Sequence, residues 1–456
     1  MSALQKIAVL DIGKTNAKVV VLDCATGAEI AERRMPNRVL SGPPYPHYDV
    51  EALWAFTLDA LESFAREPGF DAISITTHGA SAVLLDKDGN LALPALDYEH
   101  QYPQAIRDVY AALRPSFVET FSPALSGGLN VGAQIHYQKT TFPNEFANVR
   151  RVLTYPQYWA FRLTGVAANE VTSLGCHTDL WRPRDGNYSS LVDTLGIGNL
   201  MAPVRSAFDA LGTVLPPIAG KIGLMKQVPV YCGIHDSNAS LLPHLIGREP
   251  PFAVVSTGTW VVNFAVGGDL DRLDPQRDTL ANVDVYGRAV PSSRFMGGRE
   301  FELLTAELGD LDAGAALGVM PEVVRNQLML LPNLAAGSGP FPGQERAWVN
   351  EGGSSTSQRW AAACLYLALM TETCLKLIGA RGATLVEGPF ARNPAYLQAM
   401  RGLLGREVIA LPGSTGTSQG AALLAGGSPL SDTGQTITPL HVDIDRYRES
   451  WRRRIG

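Results

Sequence analysis

Several features that mark metal-binding, secreted or nucleic-acid-binding proteins are missing from this chain. Its cysteines are odd in number and lack the close spacing of zinc ligands, so we expect reduced packing residues. They are Cys24, Cys176, Cys232, Cys364 and Cys374. No basic run is longer than Arg452–Arg454 and the net charge is −6, which argues against a nucleic-acid partner.

Long apolar runs and a leader pattern are also missing. The longest apolar stretch, residues 360–370, is too short to span a bilayer. Residues 1–6 lack the basic and then apolar pattern of a signal peptide. The sequence therefore predicts a cytoplasmic protein with no membrane partner.

What is present is the composition of an ordinary globular protein. The 456 residues are 46% hydrophobic and 18% charged, and this length suits two domains. Strand and helix patterns alternate, which favours an α/β fold with mixed sheets flanked by helices. We place the domain boundary in the loop 247–251, which gives domains 1–247 and 248–456.

The most informative segment follows the apolar run Ile7–Leu10. Asp11, Gly13 and small polar residues then form a tight turn before a second strand-like segment, 19–23. The backbone N–H groups of such a turn can cradle an anion, most often phosphate. Because Asp11 would repel phosphate, it fits better beside a divalent cation. The alternative is an ordinary hairpin.

A second turn of the same kind follows the apolar strand Ala253–Val255. It contains Gly258 and leads into another strand-like segment, 261–264. Two such hairpins, one opening each half of the chain, indicate a duplicated architecture in which both turns meet one polyphosphate. This arrangement resembles the actin-like (ribonuclease-H-like) ATPase fold, whose active site we expect in the interdomain cleft.

Asp236 is the candidate catalytic residue. It follows Gly233-Ile234-His235 and opens a predicted helix, whose dipole favours an ionised carboxylate. A carboxylate at this position can orient a hydroxyl group and accept its proton. The alternative is a helix N-cap with no further role.

The order of these motifs resembles the FGGY family of carbohydrate kinases over essentially the whole chain. Segments 11–16 and 256–260 resemble the two phosphate motifs, and segments 387–393 and 420–422 resemble the adenosine motif. The resemblance implies a sugar-binding, catalytic domain 1–247 and an ATP-binding domain 248–456. It implies Asp236 as the catalytic base and Asp11 as the Mg²⁺ residue. The residues expected to bind ATP are Gly13, Lys14, Thr15, Asn16, Gly258, Thr259, Gly297, Gly298, Gly388 and Asn393.

The sugar contacts are expected at His78, Asp97, Glu99 and His235. A His-Asp pair like His235-Asp236 occurs in kinases for rhamnulose and fuculose, whereas xylulose kinases typically have glycine before the aspartate. The segment 96–100 keeps an acidic residue of the family pattern but lacks its arginine. Three alternatives stay open: His235 packed for shape, a capped His78, and a solvated loop around Asp97 and Glu99.

Two cations have open roles. Lys14 stands where relatives have a small hydroxyl residue, and either serves the transferred phosphoryl group or lies at the rim. Arg299 beside Glu300 is either half of a structural ion pair or a phosphate ligand.

The expected function is that of an ATP- and Mg²⁺-dependent kinase of a ketose. L-Rhamnulose or L-fuculose is the first candidate substrate, and a pentulose such as xylulose or ribulose is the second. An alternative of another class is a non-kinase, actin-like nucleotide sensor or mechanical ATPase. The resemblance also leaves a homodimer open.

Overall fold

The computed structural model describes residues 4–413, 416–427 and 434–456. Part of segment 1–6, in which the sequence predicts no signal peptide, lies outside the described residues. The chain divides into two compact units. The first comprises Met1–Gly247, Ala281–Ala289 and Thr415–Leu430; the second comprises Arg248–Leu280, Val290–Ser414 and Ser431–Gly456. Where the sequence predicts a single boundary, the structure adds two later segments to the first unit.

The strands, in chain order, are β1 Lys6–Ile12, β2 Asn16–Asp23, β3 Glu29–Pro36, β4 Val39–Leu40, β5 His47–Tyr48, β6 Ala72–Thr77, β7 Ala82–Leu85, β8 Arg151–Thr154, β9 Trp181–Arg182, β10 Asn187–Tyr188, β11 Ala210–Thr213, β12 Pro229–Tyr231, β13 Ile234–His235, β14 Phe252–Thr257, β15 Val261–Val266, β16 Thr279–Val283, β17 Ala289–Phe295, β18 Met329–Leu331, β19 Ala347–Val349, β20 Ala383–Glu387, β21 Val408–Leu411 and β22 Gln435–Thr436.

The α-helices are α1 Val50–Arg66, α2 Gln104–Leu113, α3 Phe117–Thr120, α4 Val131–Thr141, α5 Pro143–Phe146, α6 Tyr155–Thr164, α7 Val171–Leu174, α8 Ser190–Thr194, α9 Pro216–Lys221, α10 Asp236–Gly247, α11 Gly297–Leu308, α12 Ala313–Asn326, α13 Thr356–Leu377, α14 Pro394–Leu404, α15 Thr417–Leu423 and α16 Ile444–Ile455.

A mixed sheet forms the centre of the first unit, with the strand order β11-β12-β6-β1-β2-β3 and with β13 also paired to β6. The hairpin β1–β2 is antiparallel, while β6 runs parallel to β1 and to β13. Strands β1 and β6 are almost continuously buried, as expected for parallel strands covered on both faces. The predicted opening hairpin is confirmed.

The second unit contains a sheet of the same design, in which β17, β15, β14, β20, β21 and β22 follow one another in that order. Its antiparallel hairpin β14–β15 lies beside the parallel strand β20, just as β1–β2 lies beside β6. Strand β21 continues parallel to β20. The expected α/β fold, with two glycine hairpins in corresponding places, is therefore confirmed.

Among the described residues, one helix has the length and apolar composition of a membrane span, namely α13. It is longer than the apolar stretch 360–370 considered from the sequence, so length alone does not exclude a span. However, 83% of its most apolar window is buried inside the protein, as in a core helix. Its N-terminus is fixed by a capping box between Ser355 and Gln358.

Helix α15 packs closely on α10 within the first unit. Gly420 in α15 lies so near the carbonyl oxygen of Ala239 in α10 that a Cβ atom would overlap this oxygen. The hydroxyl of Ser74 in β6 donates to the carbonyl of Ala421, with an oxygen–oxygen distance of 2.6 Å. The sequence Gly-Ala-Ala at 420–422 therefore lets a helix lie against both α10 and the sheet.

We expect Gly420→Ala to lower the free energy of unfolding by about 1–3 kcal/mol, because the added methyl group overlaps backbone that cannot rotate away. Urea denaturation measures the change. Gly318→Ala is the matched control, since Gly318 lies within α12 with no atom near a would-be Cβ. This control should gain up to about 1 kcal/mol from helix propensity. Equal effects of the two substitutions would contradict the close approach.

Candidate active site

Three neighbouring strands of the first unit end at one edge of the sheet. Asp11 in β1 lies opposite Thr76 in β6, and Thr77 lies opposite His235 in β13. The N–H of His78 donates to the carbonyl of Ile12 at 2.8 Å. Because the carboxyl ends of parallel strands meet at the same edge, the residues that follow them form a cluster. The sequence-predicted residues Asp11, His78, His235 and Asp236 are brought together in this way.

Asp236 is the first residue of α10. Its Oδ1 atom lies 3.0 Å from Nε2 of His235 and accepts the N–H of Ser237 at 2.6 Å. The Ser237 hydroxyl is 3.3 Å from the same oxygen. No described residue donates a hydrogen bond to Oδ2, and 32% of the side chain is exposed. The carboxylate is thus held by one oxygen, and its other oxygen is available to a ligand.

His235 keeps Asp236 ionised. Burial alone would raise the pKa of Asp236, but the charge and the hydrogen bond of His235 hold it below its ordinary value. Burial alone would likewise lower the pKa of His235, yet the negative charges of Cys176 and Asp236 raise it well above its ordinary value. An imidazolium beside a carboxylate is the state that this arrangement favours.

Cys176 is a buried residue that interacts with His235, and sequence reasoning missed it. Burial alone would raise the pKa of this thiol, but His177 and His235 lower it to about 5. Within the described part of the chain, Nδ1 of His235 is buried without a conventional hydrogen bond. Attraction between charges therefore links the Cys176 thiolate to the ring. The order of charges is thiolate, imidazolium and carboxylate.

A second support for His235 comes from the short helix α7, and it too was missed. The backbone N–H of His235 donates to the hydroxyl of Thr172 at 3.0 Å, and this hydroxyl donates to Glu170 at 2.5 Å. Glu170 caps α7 and is completely buried, which raises its pKa to about 7. The segment 170–176 has no motif that signals this role, because its partners are about 60 residues away.

His78 occupies an aromatic pocket at the end of β6. Its ring centroid lies 4.8 Å from that of Tyr155, 4.9 Å from that of Tyr48 and 5.6 Å from that of Tyr98. Nδ1 is 2.8 Å from the carbonyl oxygen of Gly79, so Nδ1 bears the proton. Burial lowers the pKa of His78 to about 4. Its buried Nε2 atom has no partner among the described residues and is a hydrogen-bond acceptor.

Asp97 and Glu99 lie near this pocket and make contact with Lys14. The ammonium of Lys14 pairs with Oδ1 of Asp97, lies 3.5 Å from Glu99 and stands 4.6 Å from the ring centroid of Tyr98. Asp97 is 6% exposed, which excludes a solvated position for it. The side chain of Glu99, in contrast, is 67% exposed.

Asp11 has partners that sequence reasoning missed. Its Oδ2 atom accepts from the hydroxyls of Thr417 at 2.5 Å and Ser418 at 2.7 Å, both in α15 of the same unit. Burial raises the pKa of Asp11, and the two hydroxyls and Lys18 act in the opposite direction. No sequence motif connects these residues, since they are about 400 positions apart.

A magnesium ion can be tested against this donor set. The described residues contain no cluster of three or more histidine, cysteine or acidic side chains that could hold a metal. Mg²⁺ bound with nucleotide usually takes only one or two protein carboxylates, together with phosphate oxygens and water. A single carboxylate at Asp11, with Oδ1 not engaged by the hydroxyls, therefore fits such an ion.

The hairpin that follows Asp11 is held by its backbone. The N–H of Gly13 donates to the carbonyl of Asn16 at 2.9 Å, and Asn37 contacts the carbonyls of both Gly13 and Thr15. The side chains of Thr15 and Asn16 remain exposed at the tip. Lys14 alone among the three turns to Asp97.

In the second unit, the hairpin at Gly258 contacts the start of α11. The N–H of Gly258 donates to the carbonyl of Trp260 at 2.9 Å. A Cβ atom on Gly298 would overlap the carbonyl oxygen of Gly258, and the N–H of Arg299 donates to the carbonyl of Thr259 at 3.2 Å. The paired glycines are therefore required for close backbone packing, whatever they bind.

Three further predicted positions have definite surroundings. Gly297 packs against Val261, and a Cβ atom there would be only 2.5 Å from a Val261 methyl group. Gly388 has φ +79°, and a Cβ atom would overlap the carbonyl oxygen of Thr257. Asn393 is the N-cap of α14, where Oδ1 accepts from the N–H of Tyr396 at 3.2 Å. All three support the backbone of this part of the second unit.

Arg299 does not pair with Glu300, so that alternative is wrong. Arg299 lies 3.0 Å from Glu302 on the exposed face of α11. Glu300 points inward and is completely buried, 3.1 Å from the hydroxyl of Tyr366. Adjacent helical residues point in different directions, which explains why a pair at i, i+1 does not form.

Comparison with known proteins defines the class. Residues 6–243 match the model of the FGGY family of carbohydrate kinases, N-terminal domain, and residues 249–433 match that of the carbohydrate kinase FGGY, C-terminal domain. The chain belongs to the FGGY family. A solved carbohydrate kinase from Novosphingobium aromaticivorans is 39% identical, with a TM-score of 0.92, covering 98% of this chain and 100% of that one.

Two curated relatives are similar over part of their length. L-Fuculokinase of Escherichia coli K12 is 23% identical over 273 residues, which cover 58% of this chain and 57% of the relative. Rhamnulokinase of Halalkalibacterium halodurans is 22% identical over 269 residues, which cover 55% of this chain and 54% of the relative. The chain thus spans little more than half the length of the curated relatives it matches.

The charge order at His235 predicts that the wild-type protein keeps a far-ultraviolet thiolate absorbance from neutral pH down to about pH 5. Cys176→Ser should remove this absorbance. Cys232→Ser is the matched control, because burial raises the pKa of Cys232 and leaves it a neutral thiol. A thiolate signal that appears only in alkaline solution, or that survives Cys176→Ser, would contradict the charge order.

Proposed function

We propose that this protein is an ATP-dependent carbohydrate kinase that phosphorylates a hydroxyl of a ketose. The observation that carries the proposal is the Asp236 carboxylate, which is fixed through Oδ1 by His235 and Ser237 and has Oδ2 available. The family to which the chain belongs supports the same reaction. A base with this geometry is what a hydroxyl nucleophile needs.

In the proposed reaction, Oδ2 of Asp236 accepts a hydrogen bond from the sugar hydroxyl and orients it. The hydroxyl oxygen forms a bond to the γ-phosphorus of ATP while the bond from that phosphorus to the β-bridging oxygen breaks. The proton passes to Asp236, and the products are the sugar phosphate and ADP. Because phosphoryl transfer has a loose transition state, the main task of the carboxylate is to position the nucleophile.

His235 acts through Asp236 in this proposal. The ring is 5% exposed, and Nε2 is already engaged by the carboxylate, so little of it is open to sugar. Cys176 stabilises the charged ring, and the hydroxyl of Thr172 accepts a hydrogen bond from the backbone N–H of His235. His235 therefore keeps Asp236 ionised and directs its second oxygen, which is a positioning role.

The sugar is proposed to bind in the first unit against His78 and Asp97, with Glu99 at the exposed side. His78 would accept a hydrogen bond from a sugar hydroxyl at Nε2, because Nδ1 already donates to Gly79. The tyrosine rings around it offer an apolar surface to the carbon skeleton.

The nucleotide residues are proposed from the glycine turns of each unit. In the first unit, Gly13, Thr15 and Asn16 would bind phosphate, and Asp11 would hold Mg²⁺, which neutralises phosphate charge when bound. In the second unit the corresponding residues are Gly258, Thr259, Gly297, Gly298, Gly388 and Asn393.

L-Fuculose or L-rhamnulose is the first proposed substrate. The support is the His235-Asp236 pair and the similarity to L-fuculokinase and rhamnulokinase over parts of their length. A pentulose such as xylulose or ribulose is the alternative. A 6-deoxyketohexose has a methyl group where other hexuloses have a hydroxymethyl group, and a methyl group suits an aromatic pocket.

We expect Asp236→Asn to lower kcat by about 10²–10⁴-fold, because Asn keeps an oxygen for Ser237 but cannot accept the proton. ADP release with Mg–ATP is measured across L-fuculose, L-rhamnulose, D-xylulose and D-ribulose. Asp312→Asn is the control, since Asp312 caps α12 through Ala315 and Asn is an equally good cap. No response of the wild type to any ketose would contradict the kinase proposal and favour a nucleotide sensor.

For His78 we expect the KM of the sugar to be constant from neutral pH down to about pH 5, because the pKa of this residue is about 4 and the ring stays neutral. His78→Leu should raise the KM about tenfold through loss of one hydrogen bond, whereas His78→Gln keeps an acceptor and should recover part of the loss. A KM that changes with the ordinary histidine pKa would show that the ring binds sugar in its charged form.

A further inference from the structure

Lys14 belongs to the hairpin expected to bind phosphate, but its side chain points elsewhere. The ammonium contacts Oδ1 of Asp97, lies 3.5 Å from Glu99 and stands over the rings of Tyr98 at 4.6 Å and Tyr48 at 5.2 Å. The side chain is 18% exposed. Two acidic partners and two aromatic faces thus fix the ammonium in one place.

The two carboxylate oxygens of Asp97 accept different numbers of hydrogen bonds. Oδ1 takes the ammonium of Lys14, the N–H of Glu99 at 3.2 Å and the hydroxyl of Tyr48 at 3.4 Å. No described residue donates to Oδ2. An ammonium has three N–H groups, of which the hydrogen bond to Asp97 uses one, while Glu99 at 3.5 Å makes an ion-pair contact. One donor on Lys14 and one acceptor on Asp97 are therefore left close together.

The pair lies at the same pocket as His78. Tyr48 and Tyr98, over which the ammonium stands, are also the rings beside His78. The positive charge of Lys14 is near enough to contribute to the low pKa of His78. Lys14 and His78 therefore border the same aromatic surface.

A move of Lys14 towards a phosphate would have a clear cost. The side chain of Asp97 is 9% exposed, so it would be left as a buried carboxylate without its cation. The tip residues Thr15 and Asn16 have no such obligation and remain exposed. The hairpin thus has two exposed side chains, Thr15 and Asn16, and one side chain, Lys14, that is directed to Asp97.

We propose that Lys14 is a specificity-determining residue of the sugar site, which together with Asp97 recognises two neighbouring hydroxyls of the ketose. Lys14 donates to one hydroxyl, and Oδ2 of Asp97 accepts from the next. This inference rests on the proposed kinase function. It assigns Lys14 to the sugar, whereas its place in the phosphate motif assigns it to the nucleotide.

The first test needs no sugar. The dissociation constant of Mg–ADP is measured by calorimetry for the wild type, Lys14→Met and Lys14→Arg, with melting curves as a check on folding. Lys87→Met is the control, because Lys87 is an exposed lysine that pairs with its neighbour Asp88. We expect all dissociation constants to agree within about twofold. Weakening of about tenfold or more in Lys14→Met alone, the effect of a lost charged hydrogen bond, would overturn the assignment.

The second test uses the ketose among L-fuculose, L-rhamnulose, D-xylulose and D-ribulose that the wild type phosphorylates best. Lys14→Met should raise the KM of this sugar about 10–100-fold, as expected for a hydrogen bond to a charged group, while the KM of ATP stays within about twofold. Lys14→Arg should lie between Lys14→Met and the wild type. A rise in the KM of ATP with an unchanged KM of the sugar would overturn the proposal.

A double-mutant cycle tests the pair itself. If Lys14 and Asp97 act on one pair of hydroxyls, Lys14→Met with Asp97→Asn should be little worse than the more damaging single variant. Additive losses would overturn the pair. A wild type inactive with every ketose would refute the kinase function, and the Mg–ADP measurement would still decide whether Lys14 serves the nucleotide.

Discussion

The parallel pairing of β6 with β1 and β13 is the constraint on which the first unit's site depends. This register places the ends of three strands side by side, so one set of backbone hydrogen bonds determines the positions of Asp11, His78 and His235. A shift of one strand by a single residue would turn the side chains of that strand to the other face of the sheet. The relative positions of these side chains therefore depend on the register of the sheet.

The second unit uses the same plan for a different purpose. Its central register pairs Ser256 with Glu387, and the hydroxyl of Thr257 bridges the carbonyl of Glu387 and the N–H of Phe390. The glycines of this unit allow backbone segments to approach closely, because a Cβ atom on Gly298 or Gly388 would overlap a carbonyl oxygen.

The sequence was sufficient to predict the fold and to identify several residues that the structure brings together in the candidate site. Two strand–glycine–strand patterns predicted the hairpins, and a carboxylate after each buried strand predicted Asp11 and Asp236. These signals are local, because a strand end and its turn are neighbours in the chain. Cys176, Thr172 and Ser418 could not be predicted in the same way, because tertiary packing alone brings them to their partners. The direction of the Lys14 side chain could not be predicted from the sequence either, because it depends on the loop that carries Asp97.

Helix α15 is synthesised long after the strand of the first unit that it contacts. The hydroxyl of Thr417 that contacts Asp11 is 406 residues further along the chain. At ribosomal rates of about 5–20 residues per second, Asp11 emerges about 20–80 s before this partner exists. For that time the carboxylate has neither of its hydroxyl donors, and α10, once made, lacks the helix that packs on it until α15 follows. The early part of the chain is thus made with an open face that only its closing segment completes.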